Sequence, residues 1–67
     1  MDRIEEILET EIANLKGSLA LMQDGTMTTR TGGKDTTRES MAHAAQSIDR
    51  LEDSLARHRQ NKLNAGQ

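Results

Sequence analysis

The chain has 67 residues and a formal net charge of −2, and it contains no cysteine, no proline and no aromatic residue. This length allows at most one small domain, and disulfide bonds cannot stabilise it. The small net charge gives no reason to expect a nucleic-acid or membrane partner from long-range electrostatics.

The compartment is predicted from composition. No apolar run approaches the length of a membrane span, and the acidic residues 1–11 differ from the basic and then apolar start of a secretory signal. The absence of cysteine fits a reducing environment. We therefore expect a cytoplasmic protein.

The first predicted helix covers about residues 2–23. Asp2, followed three residues later by Glu5, is typical of a capping box at a helix start. Asp24 and Gly25 favour a stop, because glycine readily adopts the left-handed cap conformation. Between these signals, apolar residues recur at steps of three or four and predict one continuous seam. The seam consists of Met1, Ile4, Leu8, Ile12, Leu15, Leu19 and Met22.

The second predicted helix covers about residues 37–61, with Thr36 and Glu39 as its capping box. Its apolar residues follow a heptad repeat, with small residues near the loop. This seam consists of Met41, Ala44, Ile48, Leu51, Leu55 and His58. The tail, residues 62–67, has no cap and no period, so we expect it to fray.

Charged residues at the helix ends predict how the helices pack. The acidic residues Glu5, Glu6, Glu9 and Glu11 crowd the start of helix 1, and the basic residues Arg57, Arg59 and Lys62 crowd the end of helix 2. Antiparallel packing brings these ends together, and each cluster also complements its own helix dipole. The predicted fold is all-α: a single domain over residues 1–67, built as an antiparallel two-helix hairpin with a long Thr/Gly-rich connecting loop.

Self-association follows from the small size of this hairpin, which buries little apolar surface alone. Ile7 beside Leu8 makes the apolar stripe wider than a two-stranded coiled coil requires, which favours a bundle of more than two helices. We therefore expect a homodimer or a higher homo-oligomer. The candidate interface residues are Ile4, Leu8, Ile12, Leu15, Leu19, Met41, Ile48, Leu51 and Leu55.

The connecting loop, residues 24–36, is long for a reversal between two helices, and such length usually indicates function or disorder. Residues 26–31 form a polar run that favours extended structure, so one hypothesis is an arm that pairs with a symmetry mate. A solvated turn with a Gly-Gly hinge is the alternative.

An anion site in this loop is a further hypothesis. Gly32, Gly33 and Lys34 lie just before a helix start, where backbone N–H groups favour anions, and Arg30 and threonine hydroxyls lie nearby. The candidate ligand-binding residues are Thr28, Thr29, Arg30, Thr31, Gly32, Gly33, Lys34 and Thr36. The segment is not a P-loop, since Thr28 stands where that motif needs glycine and Asp35 where it needs serine or threonine.

Catalytic and metal chemistry have little support in the sequence. There is no cysteine nucleophile, and His43 and His58 are too far apart on helix 2 to act together within one chain. The pair Glu39 and His43 supplies too few ligands for zinc. We predict no enzymatic activity, no metal site and no cofactor.

Two functional hypotheses remain. The first is a non-enzymatic interaction module of a phage or bacterial accessory kind, which binds itself and another protein through a helix face or the loop at residues 24–36. The alternative is an oligomer whose loops, with Arg30 and Lys34, bind or sequester a nucleotide-like phosphorylated small molecule. In outline this alternative resembles the helical oligomeric proteins by which some phages sequester cyclic-nucleotide signals.

Overall fold

Two helices joined by a small β-hairpin form the chain in a computed structural model, which describes residues 2–65. Helix α1 spans Arg3–Gln23, strands β1 and β2 span Arg30–Thr31 and Lys34–Asp35, and helix α2 spans Thr37–Ala65. The chain is therefore mainly helical, as the sequence predicts. Met1, which belongs to the predicted seam, and residues 66–67 of the predicted tail lie outside the described residues.

Helix α1 has its predicted N-cap and stop, but the Glu5 side chain binds Arg59 and does not complete a capping box with Asp2. The Asp2 side chain accepts hydrogen bonds from the backbone N–H of Ile4 at 3.0 Å and of Glu5 at 3.2 Å. At the other end Gly25 has a φ of 83°, and the backbone N–H of Asp24 donates to the Ala20 carbonyl at 3.0 Å. Both caps satisfy backbone groups that a helix end otherwise leaves unpaired.

Helix α2 begins at Thr37 as predicted, but its capping contact and its C-terminal end differ from the prediction. The Asp35 carboxylate accepts a hydrogen bond from the backbone N–H of Thr37 at 2.9 Å, while the Thr36 hydroxyl bonds to Thr29 instead of forming a capping box. The helix also continues to Ala65, so the expectation that the tail frays is wrong for residues 62–65. Lys62 Nζ lies 3.1 Å from Asp2 Oδ2, and this contact supports the last turns.

The two helices share one thin core. Ile12, Ile48 and Leu55 are its buried centre, and Leu8, Leu15, Leu19 and Leu51 pack around them partly buried. Met22 and Ala44 are also buried. Within residues 2–65 no side chain is less than 2% exposed, so the core is a single seam between two helices.

The contacts bring the start of α1 beside the end of α2. His58 Nε2 lies 2.7 Å from Asp2 Oδ2, and nearer the middle of the pair Lys16 Nζ lies 3.3 Å from Glu52 Oε2. The resulting rod measures 54 × 18 × 17 Å. Neither helix in the described part of the chain has the length and apolar character needed to cross a bilayer.

The connecting segment contains a β-hairpin. Strands β1 and β2 are antiparallel, with Arg30 opposite Asp35 and Thr31 opposite Lys34. Gly32 and Gly33 have φ values of 58° and 81°, the positive values at both central residues that a type I′ turn requires. Of the polar run at residues 26–31 that suggested an arm for a symmetry mate, Arg30 and Thr31 pair with β2 of the same chain.

Candidate functional site

The candidate ligand residues of the loop are placed by the β-hairpin. Gly32 and Gly33 form its turn, Thr28 precedes it as an exposed residue, and Arg30 lies opposite Asp35. Successive side chains along a strand point to opposite faces. Thr31 and Lys34 therefore share one face of the ribbon.

The two cations of the predicted anion site do not converge. Arg30 shares the face of Asp35, while Lys34 lies on the opposite face with Thr31. The β-hairpin of one chain therefore presents Arg30 and Lys34 from opposite faces.

The threonine hydroxyls of the loop bond mainly to one another. Thr29 Oγ1 lies 3.0 Å from Thr36 Oγ1 and 2.8 Å from Ser40 Oγ, and Thr31 Oγ1 lies 3.5 Å from Thr36 Oγ1. The Thr37 hydroxyl accepts a hydrogen bond from the backbone N–H of Thr29 at 3.1 Å. This hydroxyl network fixes the β-hairpin against the first turn of α2.

Ser40 and Thr37 are members of this network that sequence reasoning missed. Ser40 follows Thr36 by one helical turn, so the spacing placed both side chains on one side of the helix start. The sequence did not show that Thr29 lies against this side of α2.

A carboxylate already occupies the start of α2. Asp35 Oδ1 accepts hydrogen bonds from the backbone N–H and the hydroxyl of Thr37, at 2.9 and 2.6 Å. These bonds, and next the charge of Arg30, hold the pKa of Asp35 below its usual value. The Asp35 carboxylate therefore supplies the negative charge that the N-terminal end of α2 favours.

An ionic cluster joins the helix ends. Arg59 donates to Glu5 Oε1 and Glu9 Oε1, each at 2.6 Å, while His58 and Lys62 approach Asp2. The hydrogen bond from Arg59 lowers the pKa of Glu5, and the same contact raises the pKa of Arg59. The charge complementarity that the sequence predicted between these ends is present as direct contacts.

A groove of about 330 Å³ lies beside this cluster, between the two helices. Two ion pairs join the helices along it, Lys16 to Glu52 at 3.3 Å and Arg59 to Glu9 at 2.6 Å. Its apolar lining consists of Ile12, Ala13, Leu55 and Ala56. We call this surface the ion-paired groove.

The predicted interface residues divide into two groups. Ile12, Ile48 and Leu55 are buried in the contact between α1 and α2 of one chain. Leu8, Leu15, Leu19, Met41 and Leu51 are partly buried, and Ile4 is 57% exposed. Ile7, Leu21 and Leu63 are also exposed, at 53%, 43% and 65%.

The histidines do not build a metal centre in the described part of the chain. His58 is engaged by Asp2, while His43 is exposed on α2. Across residues 2–65, no three histidine, cysteine, aspartate or glutamate side chains are grouped so that they could hold a metal ion.

Comparison of the chain with models of known families, with curated proteins and with solved structures gave no match.

Proposed function

We propose that the chain is a small, non-enzymatic interaction module that works in the cytoplasm as a homo-oligomer of antiparallel helical hairpins. Its task is to bind another protein, as a phage or bacterial accessory protein does. The observation that carries the proposal is the thin core. The five buried apolar residues among residues 2–65 retain 6–8% exposure, while Ile4, Ile7 and Leu63 are each more than half exposed.

This distribution of apolar surface is typical of a unit that packs against copies of itself. Side chains of isoleucine and leucine contribute most when they are fully removed from water, and two helices alone leave one side of each seam open. A second copy of the two-helix unit can cover that side. Assembly therefore stabilises the folded state of each protomer, because it buries apolar side chains that one chain leaves exposed.

The β-hairpin is the surface we assign to the partner protein. It lies at the end of the rod away from the ionic cluster, and the hydroxyl network around Thr29 holds it on α2. Binding residues are often carried on loops that a rigid scaffold positions. Its exposed residues Arg30 and Lys34 and the preceding Thr28 offer polar contacts, and a helix face is the second surface open to a partner.

Native mass spectrometry of the untagged protein from its own host tests this proposal. We expect a dimer or tetramer without a small-molecule adduct, together with a co-purifying protein. A folded monomer would contradict it. An oligomer with a stoichiometric added mass of nucleotide size would favour the sequestering alternative, in which the loops of several protomers supply Arg30 and Lys34.

The partner surface is tested by the double variant Arg30→Glu and Lys34→Glu, with Gln46→Glu on the exposed side of α2 as the matched control. We expect the loop variant to lose the co-purifying protein and to keep its oligomeric mass, while the control keeps both. Retention of the partner by the loop variant would move the binding surface to a helix face.

A further inference from the structure

The ion-paired groove has an apolar lining and a charged border. Ile12 and Leu55 are buried at its base, while Ala13 and Ala56 are exposed and too small to fill the space above them. Small side chains at a helix contact let a further helix approach closely. The groove is thus open to a surface of similar shape.

The four charges of its border alternate in sign. Along α1, Glu9 is followed two turns later by Lys16. Along α2, Glu52 is followed by Arg59 at the same spacing. Because Arg59 pairs with Glu9 and Glu52 with Lys16, each charge has an opposite charge both along its helix and across the groove.

This alternating pattern is complementary to itself. A copy turned over by a two-fold axis in the plane of the groove places each charge opposite one of the other sign. If the axis runs across the helices, Glu9 meets the copy's Lys16. If the axis runs along the helices, Glu9 meets the copy's Arg59. Two-fold symmetric interfaces require this kind of self-complementarity.

We propose that the ion-paired groove is the surface through which two copies of this chain associate, face to face, as a four-helix bundle. The inference rests on the proposed homo-oligomer and specifies its interface. One face of a rod of 54 by 18 Å is large enough for the area of about 800 Å² that each partner buries in a standard interface.

The competing surface is the other flank of α1. At 3.6 residues per turn, Ile4 and Ile7 lie on the opposite side of Ile12 from Ala13. They are apolar and exposed, and among residues 2–65 the inter-helix ion pairs that border a groove lie on the Ala13 side instead. A variant at Ile7 therefore separates the two surfaces.

Two double variants test this proposal by giving all four charges at the border of the ion-paired groove the same sign. Glu9→Lys with Glu52→Lys makes it fully positive, and Lys16→Glu with Arg59→Glu makes it fully negative. We expect each variant alone to show an apparent dissociation constant raised about 100-fold or more, because like charges then face each other. Mixing the two should form heterodimers, which native mass spectrometry distinguishes by mass.

A second variant leaves both ion pairs intact. Ala56→Arg adds a large cation to the groove, and Gln46→Arg adds the same side chain on the exposed back of α2. We expect Ala56→Arg to dissociate the dimer while helicity is retained, and Gln46→Arg to leave it assembled. These two variants test whether the ion-paired groove is the dimer interface even if a variant with border charges of one sign unfolds.

The outcomes separate this inference from the proposed function. A monomeric wild-type protein overturns both. An oligomer that survives Ala56→Arg and the single-sign substitutions, but dissociates with Ile7→Lys, overturns only the groove and assigns the interface to the other flank of α1.

Discussion

Asp2 is the residue at which the two helices are tied together. Its carboxylate caps α1 through the backbone N–H groups of Ile4 and Glu5, and it also accepts from His58 at 2.7 Å and contacts Lys62 at 3.1 Å. The bond from His58 first, then the Glu5 amide and Lys62, hold the pKa of Asp2 well below its usual range. One side chain therefore acts as helix cap and as tertiary contact.

Asp2→Asn should make the stability of the protein less dependent on pH. Because folding lowers the pKa of Asp2, its ionised form stabilises the fold above the unfolded pKa of about 4, and this contribution is lost as the pH falls toward the folded pKa. Asparagine still caps a helix but carries no charge. We expect a Tm lower by roughly 4–8 °C at pH 7, measured by far-UV circular dichroism.

The difference in Tm between wild type and Asp2→Asn should shrink as the pH falls from about 5 toward 2. Asp53→Asn is the matched control, because Asp53 pairs at 3.0 Å with Arg57 on an exposed helix surface, where ion pairs contribute little. A pH-independent difference for Asp2→Asn, or an equal loss in the control, would contradict the role assigned to Asp2.

The β-hairpin depends on the positive φ angles of its turn. Gly33 has a φ of 81°, and a Cβ added there would meet nothing within 4 Å, so a side chain at this position would be strained only through the backbone. Valine is strongly disfavoured at such a φ, whereas asparagine followed by glycine is a preferred type I′ turn.

We therefore expect Gly33→Val to disrupt the β-hairpin and Gly32→Asn to preserve it, with a cost for valine of about 1–2 kcal/mol. Nuclear Overhauser contacts between Arg30 and Asp35 report the cross-strand register directly. If those contacts persist in Gly33→Val, the turn is not the determinant of this element.

The attachment of the β-hairpin to α2 depends on Thr29. Thr29→Val keeps the shape of the side chain but removes its hydrogen bonds to Thr36 and Ser40, each worth about 1 kcal/mol. The backbone N–H of Thr36 donates to the Thr29 carbonyl at 3.0 Å, so its hydrogen exchange measures the attachment. We expect exchange to accelerate about 5-fold or more in Thr29→Val.

The exposed Thr28→Val is the control for this measurement, since Thr28 precedes the network on the outer surface. Its Thr36 amide should exchange at the wild-type rate. Equal acceleration in both variants would mean that the hydrogen bonds of the Thr29 hydroxyl do not hold the β-hairpin on α2.

The helices could be predicted because their apolar periodicity extends over many turns, and the caps at Asp2 and Gly25 mark the ends of α1. The strands of two residues each are too short and too exposed for alternation to show. Gly32-Gly33 was a usable signal for a two-residue turn, and sequence reasoning took it for a hinge. With that turn recognised, the register of Arg30 and Lys34 would have followed.

Other contacts could not be predicted because they join residues that are remote in sequence. Near the end of α2, Lys62 contacts Asp2, and in the hydroxyl network Thr29 contacts Ser40. The partition of the apolar seams also needed the structure, since periodicity marks Leu55 as inward-facing without showing whether the same chain or a copy covers it.

In residues 2–65, ion pairs join the start of α1 to the end of α2, and the core lies along the single seam between the two helices. The ionic cluster around Asp2 and Arg59 joins the helix ends, while Ile12, Ile48 and Leu55 form the buried centre of the core. Exposed ion pairs contribute little to stability compared with apolar burial. The additional stabilisation is therefore expected from association.

Association of this kind makes thermal stability depend on protein concentration, because a partner that binds only the folded chain shifts the folding equilibrium by mass action. We expect the Tm of the wild type to rise continuously over about a 100-fold increase in concentration and that of Ala56→Arg to stay constant. Circular dichroism is the suitable readout, since the chain has no tryptophan or tyrosine for absorbance or fluorescence detection. A wild-type Tm that does not change with concentration would mean that the two-helix seam suffices alone, and the exposed apolar side chains would then need another partner.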